Sequence, residues 1–145
     1  MSGNPNDGRL RILTVEDHEP FRRAICALLR EKDFLLSEAS DGLEAIETAI
    51  AQQPDVVLFD IGLPGLNGLE AAKRVLSLVP NVKVVFVTQE SGSETVREAF
   101  RLGAQGYVQK HDTAFDLFAA IDAVVSGERF VSSSLNFTEE YLSSL

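Results

Sequence analysis

Five polar side chains stand where short apolar runs of this sequence stop. Leu10–Val15 runs into Glu16-Asp17, Val56–Phe59 into Asp60, and Val84–Val87 into Thr88, while Tyr107-Val108 is followed closely by Lys110. If the runs are strands of one sheet, three carboxylates, one hydroxyl and one ammonium meet at one edge. Clustered carboxylates repel, so at least one titrates high unless a cation sits among them. Oxygen-only donors favour a hard ion, Mg²⁺, with Mn²⁺ as the alternative. Such an ion also draws in a phosphoryl group. A carboxylate held there can attack phosphorus, as in aspartyl-phosphate enzymes. Asp60 is then the candidate nucleophile. Lys110 supplies counter-charge and Thr88 a hydrogen bond to the phosphoryl oxygens.

The rest of the chain must bring those residues together. Apolar runs alternate with stretches of helical period. Pro20–Lys32 reads as a helix with Phe21, Ile25, Leu28 and Leu29 on one face, and Pro20 suits its first turn. Phe34–Ala39 is a weaker strand. Asp41-Gly-Leu-Glu44 has capping-box spacing and opens a helix with the stripe Leu43, Ile46, Ala49 and Ile50, closed by Pro54. After the Pro- and Gly-rich loop Gly62–Gly68 comes a helix carrying Leu69, Ala72, Val75, Leu76 and Val79. Ser91 and Glu94 repeat the capping-box spacing ahead of Val96, Ala99 and Phe100, and Gly103 suits a left-handed end. Thr113 is placed to cap a final helix with Leu117, Phe118, Ile121, Val124 and Val125 inward, ended by Gly127.

Five strand–helix units predict an α/β fold, a doubly wound parallel sheet between helix layers. In such sheets ligands bind beyond the carboxyl ends of the strands, at the switch point. Met1–Gly8 reads as a flexible leader, 9–127 as the domain, and 128–145 as a tail or linker remnant. In the tail, Thr138 can cap a short helix, with Phe137 and Leu142 as a staple.

Composition narrows the function classes. The 145 residues suit one domain. A formal charge of −9 argues against nucleic acid bound by this chain alone. One cysteine, Cys26, excludes an internal disulfide and points to a reducing, cytoplasmic setting. One cysteine and two histidines, His18 and His111, do not make the usual zinc clusters. No apolar run approaches the ~18 residues of a membrane span.

Glu16-Asp17, Asp60-Ile-Gly-Leu-Pro64 with Gly68, Thr88, and Tyr107 three residues before Lys110 together resemble a response-regulator receiver domain. The resemblance covers about Arg9–Gly127 and is greatest to receivers of LuxR/NarL-type transcriptional regulators. It implies five strands in the order 2-1-3-4-5 flanked by five helices. It implies that Asp60 accepts a phosphoryl group from a histidine kinase or phosphotransfer protein. Asp17, Asp60 and the main-chain carbonyl of Gly62 would hold Mg²⁺, with Glu16 acting through water. Lys110 would pair with the phosphoryl group, Thr88 would move toward it, and Tyr107 would turn inward as a switch. Such a protein catalyses only its own phosphorylation and slow dephosphorylation. Its expected outputs are homodimerisation and control of an attached or separate effector.

Two positions depart from the family pattern. Gln89 replaces the usual small residue after Thr88 and threatens to crowd the site. His111 replaces a frequent proline after Lys110, so no cis peptide is expected there. Plainer readings stand beside these. Asp60, Glu16 and Lys110 are ordinary surface charges if taken singly, Asp17 and Thr88 are caps, and Tyr107 is a core residue. His18 and His111 read as bystanders, and Cys26 as a packing residue. Two rival functions remain: a degenerate receiver that only docks, favoured by Gln89, and an aspartyl-phosphate hydrolase. The haloacid-dehalogenase type of the latter needs a second Asp where Gly62 stands.

Overall fold

The computed structural model describes residues 8–137, 141, 143 and 144. The leader Met1–Asp7, Thr138 and Leu142 lie outside the described residues, and with them the proposed tail cap and staple. The strands are β1 (Arg11–Val15), β2 (Leu35–Ala39), β3 (Val56–Phe59), β4 (Lys83–Thr88), β5 (Gly106–Gln109) and β6 (Phe130–Val131). The helices are α1 (Glu19–Leu29), α2 (Gly42–Gln52), α3 (Gly68–Leu78), α4 (Ser93–Leu102) and α5 (Thr113–Val125). All strand pairs are parallel, in the order β2-β1-β3-β4-β5-β6.

The sheet therefore has six strands where the sequence reading expected five. The left-handed turn at Gly127 (φ 87°) swings the chain back along β5. There Phe130 N–H donates to the Gln105 carbonyl and Ser132 N–H to that of Tyr107. A two-residue edge strand has no periodicity of its own to read, which is why β6 is invisible in the sequence.

Strand alternation sorts the core into two layers. Leu13, Val57, Phe59, Val84, Phe86 and Tyr107 face α2, α3 and α4. Ile12, Val56, Leu58, Val85, Val87 and Val108 face α1 and α5. Each fully buried Val or Leu contributes roughly 1.5–3 kcal/mol of transfer free energy. These runs, covered on both faces, fix the strand ends from which the polar residues project.

Several local expectations need correction. On α2, Leu43 and Ile50 are 61% and 50% exposed, and the buried residues are Gly42, Ala45 and Ala49. The start of α2 lies close against the loop ahead of α3: a Cβ on Gly42 would meet the Leu66 carbonyl and the Ala71 methyl, so small residues take the inner face. On α5, Val125 is exposed while Leu117, Ala120, Ile121 and Val124 are buried. The cap of α4 is Gly92, without a side-chain bond, and not Ser91. Thr113 is the first residue of α5 and no cap, because a 3-10 turn at Lys110–Asp112 precedes it and its hydroxyl donates to the Lys110 carbonyl at 2.7 Å. Asp41 does cap α2, accepting from Glu44 N–H at 2.8 Å, and Gly103 (φ 118°) does end α4. No helix among the described residues is long and apolar enough to cross a membrane.

Candidate functional site

β1 and β3 are neighbours, and their flanking strands β2 and β4 lie on opposite sides, so the strand order reverses between them. Glu16-Asp17 and Asp60 leave the carboxyl ends of these two strands. Asp60 N–H is tied to the Val15 carbonyl at 3.0 Å, which locks the two ends together. One carboxylate oxygen each from Glu16, Asp17 and Asp60 lies within 4.8 Å of the others.

Lys110 enters from the end of β5. Its Nζ is 2.9 Å from Glu16 Oε1 and 3.3 Å from Asp60 Oδ2. The ammonium also sits 4.7 Å from the centroid of the Phe21 ring on α1. An aromatic face under a half-buried cation adds attraction and holds the side chain in place. The sequence reading took Phe21 for a core residue only, and nothing in its spacing signals this contact.

Electrostatics follow burial. Burial pushes the Glu16 carboxyl above its usual value of 4.5, and the contacts with Lys110 and with the His18 N–H offset this only in part. Burial alone would push the Lys110 ammonium down, but the Glu16 and Asp60 carboxylates outweigh it and hold it above its ordinary value. With all four groups ionised, the cluster carries two net negative charges. A divalent cation matches that deficit, and the all-oxygen donor set suits Mg²⁺. Glu16 Oε1 is buried, 2.9 Å from the Lys110 ammonium.

The loop bearing Glu16 and Asp17 is braced from α1. Arg22 donates from Nη1 to the Glu16 carbonyl at 2.7 Å and from Nε to Glu38 at 3.0 Å. Asp17 is exposed and caps nothing, because His18 occupies the cap position of α1. His18 and His111 are exposed at the rim, and His111 lies 3.5 Å from Asp112. Gly68 stands directly behind Asp60: a Cβ there would collide with the Asp60 carbonyl and the Ile61 Cα. The Gly62–Gly68 loop thus ends in a close backbone approach that only glycine permits.

On the β4 and β5 side, Thr88 is buried and its hydroxyl accepts from Glu90 N–H at 3.4 Å. Tyr107 is fully buried and donates to the Glu90 carbonyl at 2.8 Å. Its ring is thus already inside, and burial holds its phenol well above the usual value. Gln89 is exposed and, with Glu16, Asp17, Asp60, Gly62 and Lys110, lines an open cleft of about 700 Å³. Lys110 continues into a 3-10 turn, and no peptide is cis among the described residues. Cys26 is buried in α1, and burial, with the nearby Glu38, pushes its thiol up, away from reactivity.

The pattern that defines the response regulator receiver domain matches residues 12–122. The transcriptional regulatory protein DegU of Brevibacillus brevis is 30% identical over 145 residues, 97% of this chain and 61% of DegU. The response regulator GacA of Pseudomonas viridiflava is 34% identical over 128 residues, 87% of this chain and 60% of GacA. The chain spans about three-fifths of the length of these curated relatives. The crystal structure of a LuxR-family two-component response regulator from Aurantimonas sp. SI85-9A1 superposes with a TM-score of 0.84 at 29% identity, covering 94% of this chain and 97% of that one. The chain belongs to the receiver-domain family of two-component response regulators, and the proteins it resembles are regulators of the LuxR and NarL type.

Proposed function

We propose that this receiver is switched by phosphorylation of Asp60, in a reaction that requires Mg²⁺. The observation that carries the reading is the position of Lys110 Nζ, shared between Asp60 and Glu16 while Asp17 faces the same cleft. An Asp60 carboxylate oxygen attacks phosphorus. The bond from phosphorus to the donor's imidazole nitrogen breaks, and its electron pair leaves with that nitrogen. The donor is a histidine kinase or a phosphotransfer protein. Asp17, Asp60 and the Gly62 carbonyl would hold Mg²⁺, with Glu16 acting through water. The ion supplies charge to the phosphoryl oxygens.

The chain's own residues do the remaining work. Lys110 leaves its pairing with Asp60 as that carboxylate becomes an acyl phosphate, and it follows the charge to the phosphoryl group. Phe21 holds its stem and head near the new position. Thr88 turns its hydroxyl to a phosphoryl oxygen, and Tyr107 and the loop after β4 adjust with it. The output passes to a second copy of the chain or to an attached or separate effector. In relatives of transcriptional type, that output is gene regulation.

Acetyl phosphate or beryllofluoride, with and without Mg²⁺, tests this on the intact chain by mass spectrometry. The expected result is a Mg²⁺-dependent adduct that Asp60→Asn abolishes. Absence of any adduct would assign the chain to the docking class, and Gln89, on the cleft wall, would be the next residue to change.

A further inference from the structure

We propose that Gln109 is a positioning residue that ties the loop after β4 to the segment after α5, so that a shift at Thr88 is transmitted to Ser132. The side chain of Gln109 is buried. Period two on β5 puts it on the same face as Tyr107, toward α4. Its Nε2 donates to the Glu90 carbonyl at 2.8 Å and lies 3.4 Å from the Thr88 carbonyl. Tyr107 Oη donates to the same Glu90 carbonyl at 2.8 Å. Both lone pairs of that oxygen are therefore engaged from β5. Any displacement of Thr88 and Glu90 must break or drag the Gln109 amide as well as the Tyr107 hydroxyl.

The backbone of the same residue faces the other way. Gln109 N–H donates to Ser132 Oγ at 3.0 Å, and Ser132 Oγ donates to Asp116 Oδ2 on α5 at 2.8 Å. In an unbroken parallel ladder this N–H would reach the carbonyl of Ser132. The hydroxyl takes that place, which ends β6 at Val131 and lets the chain turn into a 3-10 turn at Ser133–Leu135. Ser132 is itself buried. One residue thus holds the active-site loop with its side chain and the C-terminal segment with its backbone. Linked hydrogen bonds of this kind polarise and strengthen one another, which couples the two contacts of the pair.

Only the sense of the signal rests on the phosphoaspartate reading; the tie itself does not. Amide hydrogen exchange on the full chain tests it, with Gln109→Met and Ser132→Ala compared with wild type, free and with Mg²⁺ and beryllofluoride. In the free protein, Ser132→Ala should speed exchange in the loop 89–92, and Gln109→Met should speed it in 130–136. The expected factor is about fivefold in each remote segment, the effect of one ordinary hydrogen bond. Ser132→Thr, which keeps the hydroxyl, should restore the wild-type rates and guards against general loosening. If each substitution loosens only its own segment, the tie is refuted. If wild type gives no response to beryllofluoride while the remote effects persist, the tie stands and the phosphoaspartate reading fails.

Discussion

Lys110→Met isolates the charge balance of the site. The ammonium lies 2.9 Å from Glu16 and 3.3 Å from Asp60, and the three side chains are only 15%, 2% and 9% exposed. Removing one partner of a buried pair costs about 3–5 kcal/mol while the other stays ionised. A carboxyl can instead take a proton. From the ordinary value of 4.5, this costs about 3.4 kcal/mol at pH 7, at about 1.36 kcal/mol per pH unit. Burial already raises Glu16, so protonation is the easier route and the expected loss at pH 7 is about 2–3 kcal/mol. The sign with pH follows. A carboxyl whose folded value is raised stabilises the fold fully below its unfolded value of 4.5 and loses that contribution as pH rises through the folded value. Without the ammonium, Glu16 rises further and the loss extends over a wider window. The deficit of the variant should be smallest near pH 4.5 and grow as pH rises through the raised folded value of Glu16. Urea unfolding followed by far-ultraviolet circular dichroism, in metal-free buffer, measures it; the chain has no tryptophan to report by fluorescence. Mg²⁺ should then narrow the gap, because it supplies the missing positive charge. A deficit below about 1 kcal/mol at pH 7, or one that is flat with pH, would refute the reasoning.

Gly68→Ala should cost about 1–3 kcal/mol and suppress the Asp60 adduct, because the new methyl has no room behind the Asp60 carbonyl; urea midpoints and mass spectra check both. Arg22→Met removes the donor that braces the Glu16 carbonyl and the ion pair to Glu38. It should lose about 1–2 kcal/mol and raise severalfold the Mg²⁺ concentration that half-saturates adduct formation; an unchanged half-saturation would count against the brace. Asp41→Ala should cost about 1 kcal/mol through loss of the α2 cap, with adduct yield unchanged.

Much of this architecture is readable from residue order. Runs such as Val56–Phe59 and Val84–Val87 are covered on both faces because they are apolar throughout. The site residues read from strand ends do converge: Glu16, Asp17, Asp60 and Lys110 meet across sequence separations of up to 94 residues. What stayed hidden has physical reasons. Hydrophobicity put Leu43 and Ile50 inside α2 along with Ala49, but close approach selects for small volume, and Ala45 joins Ala49 inside while Leu43 and Ile50 stay exposed. Capping-box spacing at Ser91 and Glu94 describes a favourable sequence, not a start, and the cap of α4 falls one residue later, at Gly92. Phe21, Arg22 and Gln109 act through contacts made from neighbouring elements, and no pattern local to them carries that information.

The same packing decides which parts of the site can respond. Phe59 lies 6.2 Å from Phe86, and Phe86 lies 6.3 Å from Tyr107, in a row of tilted rings beneath the strand ends. Phe59 directly precedes Asp60, so Asp60 stands on a fully buried part of the core. Interiors of this kind do not deform continuously. Asp60 therefore stays put when its charge changes. The opposite wall is different. Gln89, Glu90 and Ser91 are exposed, and among the ties that hold this loop are a long bond from Glu90 N–H to the Thr88 hydroxyl and the bonds from Tyr107 and Gln109 to the Glu90 carbonyl. On the proposed phosphorylation, a new charge at Asp60 would meet a fixed floor and a movable wall, and the response would run through Thr88 into that loop. Tyr107 joins the two, with its ring in the row and its hydroxyl on the loop. On that proposal, a change confined to one carboxylate would reach the far edge of the sheet without disturbing the strands that carry it.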